Sequence, residues 1–163
     1  MQQALDIVKP TAEERKNIKL IIDKFSKIIK IKDAKIEVGG SIAKDTWLKG
    51  EHDLDIYIKF NPKKYHKKDI SAILARTLEK KYKTEDVHGS RTYYRTQEGK
   101  YLLEIIPILD IKTVKQAVNI TDVSPFHVKW VRKHKNKVDE IRLAKAFCKA
   151  NSIYGAESYI KGF

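Results

Sequence analysis

Apolar residues recur at helical spacing through Ile18, Ile21, Ile22, Phe25, Ile28 and Ile29, shortly after Pro10 and the tetrad Thr11-Ala12-Glu13-Glu14. Such positions fall on one side of a helix, and a threonine followed three residues later by glutamate satisfies the first free amides, so a capped amphipathic helix is predicted here. Ile36-Glu37-Val38 then predicts a short strand running into Gly39-Gly40-Ser41, and Ile42 to Leu48 a brief helix ended by Gly50. From Asp53 to Phe60 the pattern changes to strict alternation. Leu54, Ile56, Ile58 and Phe60 share one face and Asp53, Asp55 and Tyr57 the other, as in a half-buried strand.

Asn61-Pro62 ends that strand, and Ile70, Ile73, Leu74 and Leu78 predict a helix between Asp69 and Lys83. Arg91 to Gln97 and Lys100 to Ile106, joined at Glu98-Gly99, predict a hairpin stopped by Pro107. Ser124-Pro125 predicts an N-cap with proline at the first helical position, and a helix through Arg132. Lys133 to Lys137 breaks the pattern, and Val138 to Asn151 predicts a further helix burying Ile141, Ala144, Phe147 and Cys148, with Gly155 onward leaving it. Trp47 and Trp130 are expected as core or interface anchors rather than base-stacking platforms. The order of elements predicts an α+β fold with a boundary near residues 120 to 125.

The 163 residues include 42% hydrophobic and 34% charged, enough to bury a core beneath a heavily solvated surface. The formal net charge of +13 makes a polyanion the first partner to consider, a nucleic acid above all, although a lysine-rich surface kept for solubility has the same composition. A single cysteine, Cys148, allows no intrachain disulfide and no thiolate metal cluster, which implies a reducing cytoplasm. The first residues lack the basic and apolar regions of a signal peptide, and no apolar run approaches about 18 residues, so neither export nor membrane spanning is expected.

Phosphoryl transfer from a nucleoside triphosphate requires metal ions on the phosphates, held by carboxylates on a rigid support. Asp53 and Asp55 leave the same strand face about 7 Å apart while Leu54 anchors the other. By itself the pair also fits two solvated acids on an edge strand. Upstream, Gly40-Ser41 offers a close backbone approach and a hydroxyl at a helix start, suited to phosphate oxygens; an ordinary turn reads the same way. Glu104, an isolated acid within Tyr101 to Ile106, needs a partner, either a metal or a salt bridge.

A strand, Gly-Ser, a short helix and a strand with two acids one residue apart resembles the polymerase-beta-type nucleotidyltransferases. The longer runs Gly40-Ser41-Ile42-Ala43-Lys44-Asp45-Thr46-Trp47-Leu48-Lys49-Gly50, Ser124-Pro125-Phe126-His127-Val128-Lys129-Trp130 and Lys149-Ala150-Asn151-Ser152-Ile153-Tyr154-Gly155-Ala156-Glu157 resemble the archaeal, class I, CCA-adding enzymes. This resemblance covers roughly Lys35 to Phe163. It implies a small mixed or antiparallel sheet flanked by helices and carrying the carboxylates over residues 1–122, then the beginning of a helical domain over residues 123–163 that closes over CTP or ATP. It makes Asp53, Asp55 and Glu104 the ligands of a two-metal Mg²⁺ site. Gly40, Ser41 and Lys44 become phosphate contacts, and Ser124, His127, Lys145 and Tyr154 fall where the family contacts the nucleotide. Taken singly, His127 could be a surface histidine, Lys145 one cation among many and Tyr154 a packed aromatic.

The implied activity is template-independent addition of C and A to tRNA 3′ ends. A non-catalytic RNA-binding subunit and another small nucleotidyltransferase are the alternatives. Asp53, Lys44, Glu104 and Ser124 stand where the family commonly has glutamate, arginine, aspartate and threonine. The extra methylene of Glu104 matters most, because Mg²⁺ tolerates little geometric error. The family continues beyond the equivalent of Phe163 into domains that hold the tRNA, so a second polypeptide supplying that part is expected as a partner.

Overall fold

The computed structural model describes residues 2–154; the predicted departure of the chain at Gly155, and the end of the third resemblance segment, lie outside them. Helix α1 (Gln2–Val8), absent from the sequence prediction, precedes α2 (Ala12–Ile28), whose capping box forms as predicted: Glu14 N–H donates to the Thr11 hydroxyl at 3.1 Å and Thr11 N–H to the Glu14 carboxylate at 2.7 Å. Strand β1 (Ala34–Val38), α3 (Gly40–Lys44), β2 (Asp53–Phe60), α4 (Pro62–Tyr65) and α5 (Ile70–Leu78) follow. Then come β3 (Glu85–Val87), β4 (Tyr93–Glu98), β5 (Tyr101–Leu109), α6 (Ser124–Lys133) and α7 (Val138–Ala150). None of the described helices is long and apolar enough to cross a membrane.

The five strands form one mixed sheet in the order β1-β2-β5-β4-β3, in which β2 and β5 are parallel and the other neighbours antiparallel. On one face Leu54, Ile56, Ile58 and Phe60 of β2 and Leu103, Ile105 and Leu109 of β5 are almost wholly buried against Ile18, Phe25 and Ile29 of the α2 segment and Ile70, Leu74 and Leu78 of α5. Each such side chain contributes about 1.5–3 kcal/mol by leaving water. The opposite face carries Asp53, Asp55 and Tyr57, so the alternation read from the sequence aims the acids away from the core.

Strand β5 does not stop at Pro107 as predicted; it continues to Leu109, with Pro107 opposite Ile58 of β2. Leu102 N–H donates toward the β2 side, to the His52 carbonyl, and alternation then turns the nitrogen of Pro107 toward the β4 side. The β4 pairing has ended by then, so no ladder bond is missing, and the Pro107 carbonyl accepts instead from Arg91 at 3.0 Å.

Two further expectations are corrected. Ser124 is the first residue of α6 rather than its cap, because a 3₁₀ turn, Ile120–Val123, runs straight into the helix and leaves the hydroxyl free of capping. In α7 the expected buried stripe is open: Phe147 is 64% exposed, while Ile141, Ala144 and Cys148 line a cleft. Of the tryptophans, Trp47 is buried in the core and Trp130 is 64% exposed. Helix α6 packs on α3 and α7 on α1.

Candidate functional site

The cleft, of about 680 Å³, lies between the start of α3, the edge of β2 and the open side of α7. It gathers Ser41, Lys44, Asp53, Asp55, Lys145 and Tyr154, residues up to 113 positions apart in the sequence. Asp53 and Asp55 point into it by strand periodicity. Glu104 stands directly beside Asp55 in the parallel register of β5, so the third acid shares their face without lining the cleft itself.

The glycine turn is locked against these acids. Gly39 N–H donates to the Asp55 carbonyl at 2.8 Å, and Gly40 has φ of +54°, a conformation side chains resist. A Cβ on Gly40 would fall inside the Asp55 carboxylate, and one on Gly39 inside the Tyr57 ring. The helix that follows is brief because Asp45 adopts the left-handed conformation and Thr46 N–H turns back to the Ser41 carbonyl at 2.9 Å. Buried Tyr57 reaches Ser124 and the Gly40 backbone, and burial pushes its phenol above the ordinary value. Ser124 therefore meets the site from behind, and His127, one turn further along α6, is exposed; neither lines the cleft among the described residues.

The electrostatics are those of a crowded acid cluster that Lys44 and Arg95 compensate only in part. Burial, and then repulsion from Glu104 and Asp53, push the Asp55 carboxyl up to about 6, opposed by Lys44. Glu104 has a resident partner: Arg95, its neighbour on β4, donates from Nε at 2.8 Å and lies across the Tyr93 ring at 5.6 Å. Among the described residues no three His, Cys, Asp or Glu side chains already form a metal-ligand group. The donor chemistry nevertheless suits a hard divalent cation: two carboxylates on one strand face, repulsion that a cation would relieve, and a position for the Asp55 carboxylate that only a glycine at Gly40 leaves open.

Sequence reading missed Glu51. Its carboxylate takes Lys145 at 2.6 Å, Lys149 at 2.5 Å and the Leu48 amide at 2.9 Å, inside the cleft. Burial works to raise its pKa, but the two lysines and the amide outweigh it and hold the carboxyl below the ordinary range. Lys145 and Lys149 both lie 5.5 Å from the Tyr154 ring. A pair separated by 94 residues leaves no trace in local spacing; the only hint was an acid among so many lysines.

The model of the nucleotidyltransferase domain matches residues 18–129. The CCA-adding enzyme of Pyrococcus abyssi is 33% identical over 175 aligned positions, covering 100% of this chain and 39% of that enzyme. That of Nanoarchaeum equitans is 42% identical over 127 positions, covering 77% of this chain and 32% of the enzyme. The chain thus spans well under half the length of these curated relatives. A poly(U) polymerase solved with Mg and 3′-dATP superposes with a TM-score of 0.66 at 14% identity, over 91% of this chain and 45% of that one, and so shares the fold.

Proposed function

From a chain that belongs to the nucleotidyltransferase domain family, we propose the catalytic portion of a CCA-adding enzyme, transferring CMP and AMP from CTP and ATP to a tRNA 3′ hydroxyl with release of pyrophosphate. The observation that carries this reading is the cleft, which joins the two β2 carboxylates to the Ser41 turn and to the cations of α7. Similarity to CCA-adding enzymes along the chain, at 33% identity to that of Pyrococcus abyssi, supports the choice of substrate.

Asp53, Asp55 and Glu104 are the residues that would hold magnesium, in a two-metal site, which when bound supplies charge neutralisation on the phosphates and a lowered pKa for the attacking hydroxyl. The Ser41 hydroxyl at the start of α3 donates to phosphate oxygens, and Lys44 and Lys145 balance the triphosphate. Lys145 exchanges Glu51 for phosphate as the nucleotide enters. Tyr154 covers the cleft beside that lysine, and Ser124 and His127 serve the nucleotide from α6, outside the lining of the cleft. Glu104 joins the acids by giving up Arg95. A second polypeptide that completes the tRNA-binding part would dock on the exposed Phe147 of α7.

The test is extension of a tRNA transcript that ends before CCA, with CTP, ATP and Mg²⁺ present. Mg²⁺-dependent addition of C, C and A is expected, slow with the purified chain and faster with the completing polypeptide. Absence of extension in both cases overturns the reading. The Arg95 pair on Glu104 favours one alternative, a non-catalytic RNA-binding subunit; that case shows tRNA binding with no incorporation under any Mg²⁺ concentration.

Within this reading, Gly40→Ala is expected to lower incorporation at least about tenfold, because the added methyl enters the Asp55 carboxylate and strains a left-handed backbone. Gly50→Ala is the matched control. It has φ of +79° with nothing within 4 Å of the added Cβ, so it costs stability without activity. Turnover and thermal midpoint of both variants decide it; equal turnover would remove the turn from the site.

A further inference from the structure

A second groove, of about 810 Å³, meets the cleft at Lys44, which lines both. Six cations line it, Lys9, Arg15, Lys44, Arg132, Lys135 and Arg142, against two carboxylates, Asp45 and Asp139. Those carboxylates are already satisfied within the fold. Arg142, its side chain 3% exposed, holds Asp45 at 2.7 Å and Asp139 at 2.8 Å, while Arg15 takes Asp45 at 2.9 Å and Lys9 takes Asp139 at 2.7 Å. Most of the positive excess therefore rests on the other three, Lys44, Arg132 and Lys135. Arg132 donates only to the neutral Ala43 carbonyl, at 2.7 Å, and Lys135 has no carboxylate partner among the described residues.

The charge continues past the groove. From Lys129 to Val138 the chain has five Lys or Arg and no acid, and at the end of α6 the exposed Trp130 ring lies against His134, tilted by 41° with ring centroids 4.5 Å apart. The groove sets these cations beside an exposed aromatic ring, Trp130, on the same helix as Arg132. A strand of regularly spaced phosphates with bases alongside matches that layout.

We propose that this groove holds the phosphodiester backbone of RNA and leads it past Lys44 to the cleft. The inference rests on the reading of the chain as an enzyme acting on RNA ends. It adds a site made of Arg132, Lys135 and the outer face of α6.

Fluorescence anisotropy of a labelled tRNA acceptor minihelix, with the full chain and without nucleotide or Mg²⁺, tests it across a salt series. Lys135→Glu is compared with Lys67→Glu, an equal change of charge at an exposed position outside the groove. The groove predicts that Lys135→Glu weakens binding about tenfold and reduces the salt slope by about 1, with less than about a twofold loss for Lys67→Glu. An equal loss from both variants overturns it, as does failure of the parent to bind the minihelix. Displacement of the RNA by equimolar pyrophosphate also overturns it, since the site would then serve a small anion. Unchanged thermal midpoints confirm that both variants are folded. Should the parent bind RNA through Lys135 yet extend no tRNA, the groove stands and the CCA-adding reading fails; should it extend tRNA while both variants bind alike, the groove alone falls.

Discussion

Asp55→Asn is expected to reduce nucleotide incorporation at least about 10³-fold, equivalent to about 4 kcal/mol of barrier, while leaving tRNA affinity within about twofold. On the proposed function, phosphate contacts by the Lys and Arg surface hold the RNA and the carboxylate serves the metal, so the two measurements separate. Stability distinguishes this from a folding defect. The folded protein holds the Asp55 carboxyl near 6 by burial and by repulsion from Glu104 and Asp53. A raised acid pKa means that the fold resists its ionisation, so its charge costs stability as pH rises through that value. Removing the charge should therefore leave the thermal midpoint at pH 7.5 unchanged or higher. Asp53→Ala is expected to lose activity similarly, and Glu104→Gln to lose activity beyond any loss of midpoint. Near-parental turnover in Asp55→Asn would sink the metal assignment.

Asp122→Asn should destabilise the fold by about 3–5 kcal/mol, a fall in thermal midpoint on the order of 10 °C. Asp122 is wholly buried and ties three segments together. It accepts from Arg91 at 2.5 Å, from the Leu109 amide at the end of β5 at 2.9 Å, and from the Val118 and Asn119 amides at 3.1 Å each. An asparagine keeps the volume but leaves the Arg91 guanidinium, its side chain only 13% exposed, without a counter-charge. Burial works to raise the Asp122 pKa, but Arg91 and the backbone amides outweigh it and hold the carboxyl below the ordinary range. A depressed acid pKa contributes stability that is complete above the unfolded value, about 4, and is lost as pH falls through the folded value. The gap between parent and variant should accordingly be widest near neutral pH and narrow in acid below about pH 4. Chemical denaturation at pH 7 and pH 3 measures it, and a gap independent of pH would show that the carboxylate charge is not what binds these segments.

Periodicity was sufficient wherever one face of an element is buried and the other is wet. The alternation of Asp53 to Phe60 determined which side chains enter the core and, as a direct consequence, that Asp53 and Asp55 emerge together on the opposite face. The Thr11 capping box determined where α2 begins, because both partners lie within one turn. Local geometry also marked the Gly40-Ser41 turn, although the reason for that glycine, the nearness of the Asp55 carboxylate, appears only when β1 and β2 are paired.

The tertiary structure decided everything that depends on partners distant in the chain. Strand β3 has three residues and takes its conformation from β4, so its own sequence carries no period to read. Pro107 reads as a strand breaker until the sheet order shows that β4 ends before its missing N–H would be needed. The parallel register sets Glu104 beside Asp55, while the antiparallel neighbour gives it Arg95, the salt bridge that was one of the two partners the sequence left open. The α7 stripe is apolar at helical spacing, yet whether such a face is covered depends on what stands opposite it. Here that is the cleft, in which Glu51 gathers Lys145 and Lys149 from more than 90 residues away. Local pattern fixes which face each element turns inward, because that is settled by spacing along one helix or strand; which charges meet is settled by chain crossings, and those exist only in the folded molecule.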